Sequence, residues 1–457
     1  MRSKLVCWLV ILFIPLLVAC SDSSSSDSQN SDIEVVSEIE GTVRVALAGF
    51  QLEDGIDPIT GIENKGMQTF IEEEFQPRFP NIKIELTQVP WENAQSKQTA
   101  MLQSGDVDIL YTGGAFATQW YQQGLLRELD DLIEDDTNFD PSIYLKGVWE
   151  NSYSTKSPDK SAHFGIPAVL GRRVTIYDKQ LFDQWGVEYL SENPTPEEIL
   201  EKAKQMTGEN PETGEQNYGL WLDGKSLNLS TFVALTHAYG ATGGEGTLDD
   251  PKNIDWSLNS PEMVKVFEWL EKAAQLPPSD FLNALGNESF GLENNNIAIH
   301  LDATGASTMA EVRASDNEEL LERFESVLNL GPEGEGWVAV DPFVMAKDTQ
   351  NVEASWEVLK FLTGYEAQKH NYQEYTYTPT LVDADFVSDQ DKYMKTAAEI
   401  ASVTNSTLMD EANPFFGSEI APAVNGFISQ AHNGDAPDIQ SYLDDLQDRA
   451  EKWSANQ

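Results

Sequence analysis

Hydrophobic and polar residues alternate near the start of the folded chain in a way that predicts strands separated by helices. The predicted strands cover residues 42–48, 81–87 and 106–111, and the predicted helices between them cover 67–75 and 94–103. Strands that alternate with helices over short links are typical of a parallel sheet covered by helices. The pattern therefore predicts an α/β fold.

The same pattern continues to the end of the chain. Thr195 followed by Pro196 predicts a helix start, with a capping-box spacing to Glu198, and Ser260 with Pro261 predicts another. Further strands are predicted at 165–176 and 297–301, a helix from 352 that ends at Gly364, and a closing amphipathic helix over 439–453.

The N-terminus has the features of a secretory signal. Arg2 and Lys4 precede an apolar run, residues 5–18, which ends at Ala19 and Cys20. This run is too short for a membrane-spanning helix, which needs roughly 20 residues. The segment Leu17-Val18-Ala19-Cys20 resembles the lipobox of bacterial lipoproteins, in which the cysteine receives a lipid before cleavage. We expect a signal peptide over 1–19; ordinary secretion with an incidental cysteine is the alternative.

Cysteine content supports a lipid anchor at Cys20. The chain has two cysteines, and the other one, Cys7, lies inside the predicted signal. An exported domain with a single cysteine forms no internal disulfide, so Cys20 is available for modification. The Ser- and Asp-rich segment that follows it is too polar to fold, and residues 20–41 are predicted to be a flexible tether. We expect an exported protein that is anchored to the extracytoplasmic side of the cell membrane.

The net charge restricts the partners. At −47, the chain is too acidic to neutralise phosphates, which argues against nucleic acid as a partner. The acidic residues are spread along the whole chain, which favours a solvated acidic coat over a cation-binding protein, although both explanations stay open.

Motifs of known catalytic and metal sites are absent from the sequence. The five histidines have no H-E-x-x-H spacing, and there is no G-x-S-x-G, P-loop or dinucleotide-binding glycine pattern in a suitable context. Acidic residues near Asp54 and Asp57 lack the ligand order of a calcium-binding EF-hand loop. We therefore expect no enzymatic activity, no cofactor and no metal, although composition alone leaves an exported polysaccharide-degrading enzyme open.

Several short motifs, in a fixed order, resemble the extracellular solute-binding proteins of the maltose-binding type. They occupy residues 79–84, 102–109, 123–131, 164–167, 176–182, 241–244, 298–299 with Gly305, 330–332 and 354–364 with 366–368, followed by Pro379. Two segments depart from the family pattern, 295–299 and 339–345. Both lie near the ligand cleft in relatives, so the ligand need not be one of the common sugars.

The resemblance implies a periplasmic-binding-protein-like fold of two α/β lobes, each with a sheet flanked by helices. Matching segments assign residues 42–167 and 342–375 to lobe one, and residues 168–341 and 376–457 to lobe two. Crossovers near Pro167, Asp341 and Thr378 would form the hinge.

The resemblance also implies a sugar site between the lobes. A sugar needs aromatic faces for its C–H patches and fixed polar groups for its hydroxyls, on loops at the carboxyl ends of strands. The predicted ligand-binding residues are Phe50, Trp91, Phe116, Arg173, Trp221, Asp223, Asp302, Trp337, Asp341, Tyr375 and Tyr377. For each of them, core packing or an ordinary ion pair is the alternative.

The function that the resemblance implies is that of the substrate-binding component of an ABC importer. The chain would act as a monomer, capture an extracellular mono- or oligosaccharide by closure of its lobes, and deliver it to permease subunits. A polyamine or another small solute is the alternative ligand, because the predicted site combines aspartates with aromatic rings. Arg173, which would repel a cation, and the motif order favour the sugar.

Overall fold

A computed structural model describes most of the chain. The described residues are 36, 38–56, 63–171, 173–222, 229–283, 285–304, 317–328, 330–336, 338–389, 391–403, 407–409 and 412–457. The predicted signal peptide, Cys20 and most of the predicted tether lie outside these ranges. The end of that tether, however, packs on the folded part: the Val36 amide donates to the Arg78 carbonyl at 2.8 Å, and Ile39 contacts the core.

Fourteen strands are found among the described residues. They are β1 (Gly41–Ala48), β2 (Gly55–Ile56), β3 (Glu63–Asn64), β4 (Ile82–Val89), β5 (Ile109–Tyr111), β6 (Gly165–Leu170), β7 (Arg173–Asp178), β8 (Gly208–Glu209), β9 (Gln216–Trp221), β10 (Gly244–Glu245), β11 (Asp255–Trp256), β12 (Ile297–Thr304), β13 (Phe324–Val327) and β14 (Val340–Met345).

Fifteen α-helices accompany them in the described part of the chain. They are α1 (Met67–Phe70), α2 (Ala94–Ser104), α3 (Gly114–Gln122), α4 (Asp130–Asp135), α5 (Lys146–Trp149), α6 (Lys179–Trp185), α7 (Pro196–Gln205), α8 (Leu229–Tyr239), α9 (Pro261–Ala273), α10 (Glu318–Arg323), α11 (Val352–Thr363), α12 (Tyr365–Tyr375), α13 (Lys392–Val403), α14 (Ala421–His432) and α15 (Ile439–Ala455). None of them is long and apolar enough to cross a bilayer.

Ten of the strands form two five-stranded sheets, one in each lobe, and the other four form the two-stranded pairs β2-β3 and β10-β11. The first has the order β4-β1-β5-β14-β6, with β1 parallel to β4 and β5, as the sequence pattern predicts, and β14 antiparallel to its neighbours. The second has the order β13-β7-β12-β9-β8. The predicted strand over 165–176 is therefore two strands, β6 and β7, which belong to different sheets because the chain crosses between the lobes after Leu170.

Each sheet has its own hydrophobic core. The first core takes its buried residues from Val43–Val169 and Phe343–Leu381, and the second mainly from Val174–Leu330 and Tyr393–Ala450. Phe386 also packs against the first core. The third crossover therefore follows Phe386, later than the predicted position near Thr378, because residues 376–386 fold back onto the first sheet.

The first two crossing segments and Thr378 lie side by side at the lobe boundary. The Gly171 amide donates to the Ala339 carbonyl at 2.8 Å, and the Leu170 amide donates to the Thr378 carbonyl at 3.0 Å. A small third cluster of fully buried residues is found at the same place: Val148, Leu170, Val340 and Ala401. Since Val148 belongs to α5 and Ala401 to α13, this boundary cluster joins the two lobes.

Helix starts follow the predicted capping chemistry in part. The Thr195 hydroxyl accepts from the Glu198 amide at 3.1 Å, with Pro196 in the first helical position of α7. The Glu198 carboxylate, however, accepts from the amide and hydroxyl of Ser191. The N-cap is thus confirmed, while the reciprocal half of the capping box is replaced by a bond that holds the preceding loop.

His370 provides a test of the first core. Its ring stacks on Phe70, with centroids 4.2 Å apart, and burial lowers the pKa of His370 to about 4. The unfolded state then binds a proton more readily than the folded state, so stability should fall as the pH drops from about 6.5 to about 4. We expect His370 to contribute about 2–3 kcal/mol to this loss in the free energy of unfolding.

Replacing His370 with Phe keeps the stacked ring and removes the titrating group. The H370F variant should lose less stability than the wild type between pH 7 and pH 4.5, as measured by urea unfolding. Equal losses in both proteins would contradict a buried neutral histidine.

Candidate functional site

The candidate site lies at one edge of the first sheet. The parallel strands β1, β4 and β5 have their carboxyl ends there, and they are followed by Phe50, Trp91 and Gly113. Strand β14 runs in the opposite direction, so its second residue, Asp341, lies at the same edge. In open α/β sheets this is where ligands bind.

Aromatic rings surround this edge. The Phe50 ring centroid is 4.7 Å from that of Tyr111 and 5.2 Å from that of Tyr377, and both contacts are edge-to-face. Trp91 lies edge-on to Tyr111, with centroids 6.0 Å apart. Phe116, in the first turn of α3, is half-buried. We call these five residues the aromatic wall.

The members of the aromatic wall differ in exposure. Trp91 is 41% exposed, whereas Phe50 is fully buried and Tyr111 is 2% exposed. Trp91 is therefore the ring with the most surface to offer a ligand. Phe50 and Tyr111 support the other rings from behind, and ligand contact by Phe50 stays a prediction.

Asp341 is the carboxylate of this edge. It accepts a hydrogen bond from the Tyr111 hydroxyl at 3.2 Å. Burial, and then the charge of Asp341, raise the pKa of Tyr111 well above its usual value and that of Tyr377 to about 12. Both phenols therefore stay protonated near neutral pH and act as hydrogen-bond donors.

Gly113 forms the floor of the site. A Cβ atom placed on it would lie 3.8 Å from Phe116 Cδ2, 3.9 Å from Trp91 Cζ3 and 3.9 Å from Asp341 Oδ1. One point at the floor is thus within van der Waals reach of two rings and a carboxylate. This is the combination that a sugar ring needs, with C–H patches on aromatic faces and a hydroxyl on a charged acceptor.

Two tyrosines at the end of α12 and just beyond it, Tyr375 and Tyr377, are hydrogen-bonded to backbone carbonyls near the start of the first lobe. The Tyr375 hydroxyl donates to the Lys65 carbonyl at 2.7 Å, and the Tyr377 hydroxyl donates to the Gly49 carbonyl at 3.3 Å. The Tyr375 ring packs on Phe50, with centroids 5.9 Å apart, and its hydroxyl also donates to the Gln51 carbonyl at 3.3 Å, so Tyr375 holds Gln51 and Lys65 behind the aromatic wall.

Three of the five predicted residues of the second lobe lie near one end of the strands of its sheet. Trp221 ends β9 and pairs with His300 of β12, and Arg173 begins β7, where it pairs with Thr304. Asp302 lies in β12 between these pairs. The described backbone therefore brings Arg173, Trp221 and Asp302 to one edge, while Asp223 and Trp337 lie outside the described residues.

Trp221 is a core residue in this conformation. Its side chain is 1% exposed, and its centroid lies 6.1 Å from that of His300, which in turn contacts Phe290. Its predicted ligand contact stays a prediction.

Sequence reasoning missed Tyr111 and Gly49. Tyr111 ends a short buried strand, so its neighbours suggest core packing, although its position at a carboxyl end was a usable signal. Gly49 has no side chain that could suggest a function, and only its contacts with Trp91 and Tyr377 show that it lies at the candidate site.

The profile of the family described as bacterial extracellular solute-binding proteins matches residues 60–369. The chain belongs to this family and is a solute-binding protein. A binding protein of Brucella abortus is 23% identical over 301 residues, which are 64% of this chain and 67% of that protein.

Solved structures share the two-lobe fold. The sugar-binding protein MalE of Xanthomonas citri is 15% identical, with a TM-score of 0.71 over 91% of this chain and 98% of that one. An ABC substrate-binding protein of Listeria monocytogenes, solved with cycloalternan, is 18% identical, with a TM-score of 0.64 over 91% and 99%. A solute-binding protein of Agrobacterium vitis with bound D-mannitol is 20% identical, with a TM-score of 0.62 over 91% and 98%.

Gly113 allows a test of the floor. The G113A variant should fold normally, because the new methyl group makes ordinary contacts and the φ of Gly113 is −68°. The methyl group would fill the space that a ligand ring needs, so the affinity should fall about tenfold, which corresponds to about 1.4 kcal/mol.

Isothermal titration calorimetry measures this loss. G417A is the control, because a Cβ on Gly417 meets nothing within 4 Å and this residue lies far along the chain, in the second lobe. Unchanged affinity in G113A, with the wild-type unfolding midpoint, would place the ligand elsewhere.

Proposed function

We propose that this solute-binding protein captures an extracellular carbohydrate or polyol and delivers it to the permease of an ABC importer. The observation that carries the proposal is the convergence of Trp91, Phe116 and Asp341 on the floor at Gly113. Similar proteins solved with cycloalternan and D-mannitol support it, since both ligands are neutral and rich in hydroxyl groups.

Asp341 suits a neutral ligand as a hydrogen-bond acceptor. A carboxylate that accepts from a sugar hydroxyl contributes about 1.5–3 kcal/mol, more than a neutral acceptor. Tyr111 already donates to Asp341, which fixes the orientation of the carboxylate. A cationic ligand such as a polyamine is the second candidate, because the same carboxylate beside the exposed Trp91 also suits an ammonium group.

We further propose that the protein works by closure of its two lobes and is held at the membrane through Cys20. A ligand that contacts both lobes only in the closed form shifts the population toward that form. The lipid anchor would keep the protein on the extracytoplasmic side, close to its permease. No catalytic step is part of this proposal.

A ligand panel with one variant tests the proposal. Thermal unfolding with mono- and oligosaccharides, polyols and polyamines should reveal a ligand, because saturation at about a hundred times the dissociation constant adds about 2.7 kcal/mol. For a neutral ligand, D341N should weaken binding about tenfold to a hundredfold, and the wild-type affinity should change little between 50 and 500 mM NaCl.

Other outcomes of the panel contradict specific parts of the proposal. A stabilisation by polyamines alone, weakened by salt and abolished in D341N, would make the ligand a cation. Products of any panel compound, detected by chromatography, would mean that the protein is an enzyme.

The boundary cluster allows a test of closure. V148A removes packing between α5 and α13 at the boundary between the lobes, whereas V358A truncates an equally buried valine inside the first core. Both variants should lower the unfolding midpoint by a few degrees. Only V148A should change the ligand-free radius of gyration measured by small-angle X-ray scattering; equal radii in both variants would contradict a role of this cluster in closure.

A further inference from the structure

Gly49 has an unusual position between β1 and the aromatic wall. Its φ is +73°, in the left-handed region, and its amide donates to the Val89 carbonyl at 3.0 Å. A Cβ atom on this residue would lie 2.0 Å from Trp91 Nε1 and 2.5 Å from Trp91 Cδ1. No side chain fits in that space, so the indole edge packs directly on the Gly49 backbone.

Gly49 also holds a second ring of the aromatic wall. Its carbonyl accepts the hydrogen bond from the Tyr377 hydroxyl. One residue without a side chain therefore connects three chain segments at the site: the end of β1, the indole that follows β4, and Tyr377 beyond α12.

The contact with Gly49 determines which part of Trp91 faces outward. One indole edge lies on Gly49, and the ring is also restrained by Tyr111 and by the floor near Gly113. Displacing the edge at Gly49 must rotate or shift the whole ring, because an indole is rigid. Its exposed 41% would then change in place and direction.

We propose that Gly49 is a positioning residue of the ligand site, which sets the orientation of the Trp91 indole by leaving room for it. The consequence for ligand affinity rests on the proposed function; the positioning itself does not. The competing explanation is that position 49 needs glycine only because its φ is positive, and that the contact with Trp91 has no effect of its own.

Gly105 provides a matched control for that explanation. Its φ is +70°, nearly the same as that of Gly49, and a Cβ on it would meet nothing within 4 Å. G105A therefore reports the cost of the left-handed backbone alone, and G49A reports the same cost plus the contact with Trp91.

The first experiment is a double-mutant cycle on thermal unfolding of the ligand-free protein. G105A should lower the midpoint by about 2–4 °C, and G49A should lower it by at least about 3 °C more. In the W91A background, the further loss caused by G49A should shrink to that of G105A. An undiminished loss in that background would overturn the proposal.

The second experiment observes the ring itself. In protein labelled with 5-fluorotryptophan, the ¹⁹F resonance that W91A lacks belongs to Trp91. This resonance, and its shift between H₂O and D₂O, should change in G49A and stay unchanged in G105A. An unchanged Trp91 resonance in G49A would overturn the proposal. Neither experiment uses a ligand, so a failure of the proposed carbohydrate function is distinguished from a failure of this inference.

Discussion

The chain crosses between its two lobes beside β6 and β14, the last two strands in the order of the first sheet, and this constraint organises the rest of the molecule. Strands β6 and β14 are paired there, Gly171 bonds to Ala339, and Leu170 bonds to Thr378. Because the first two crossing segments are bonded to each other and to Thr378, they share one boundary between the lobes. The carboxyl ends of the strands of the first sheet, where the candidate site lies, are adjacent to that boundary.

Each lobe is also fixed by a buried aspartate that pairs with an arginine. Asp108 accepts from Arg44 and Thr349; burial raises the pKa of Asp108, but these hydrogen bonds hold it below the usual value. Asp178 is fully buried, caps α6 and bonds to Arg323. A buried carboxylate is tolerated only when its charge is paired and its lone pairs are satisfied. Basic side chains are few in so acidic a chain, and two of them, Arg44 and Arg323, are paired with these buried aspartates at the sheets.

Much of the first-lobe site follows from sequence position. Phe50, Trp91 and Phe116 follow successive parallel strands, and Asp341 lies at a crossover, so strand order alone predicts that they share an edge. Sequence position does not say which rings are exposed. Phe50 is covered by Tyr111 and Tyr377, residues that are distant from it along the chain, so its burial depends on long-range packing. The same reason explains why Trp221, which also ends a strand, is a core residue.

The sequence by itself determined the local elements, the two-lobe class and the acidic character, because these depend on residue periodicity, ordered motifs and composition. Helix starts at Thr195 and Ser260 were predictable since the cap lies within three residues of the amide that it accepts from. Only the tertiary structure decided that residues 376–386 return to the first core, that Tyr111 orients Asp341, and that Gly49 makes room for Trp91. Each of these depends on contacts between residues far apart in the chain, and neither periodicity nor composition encodes the distances between such residues.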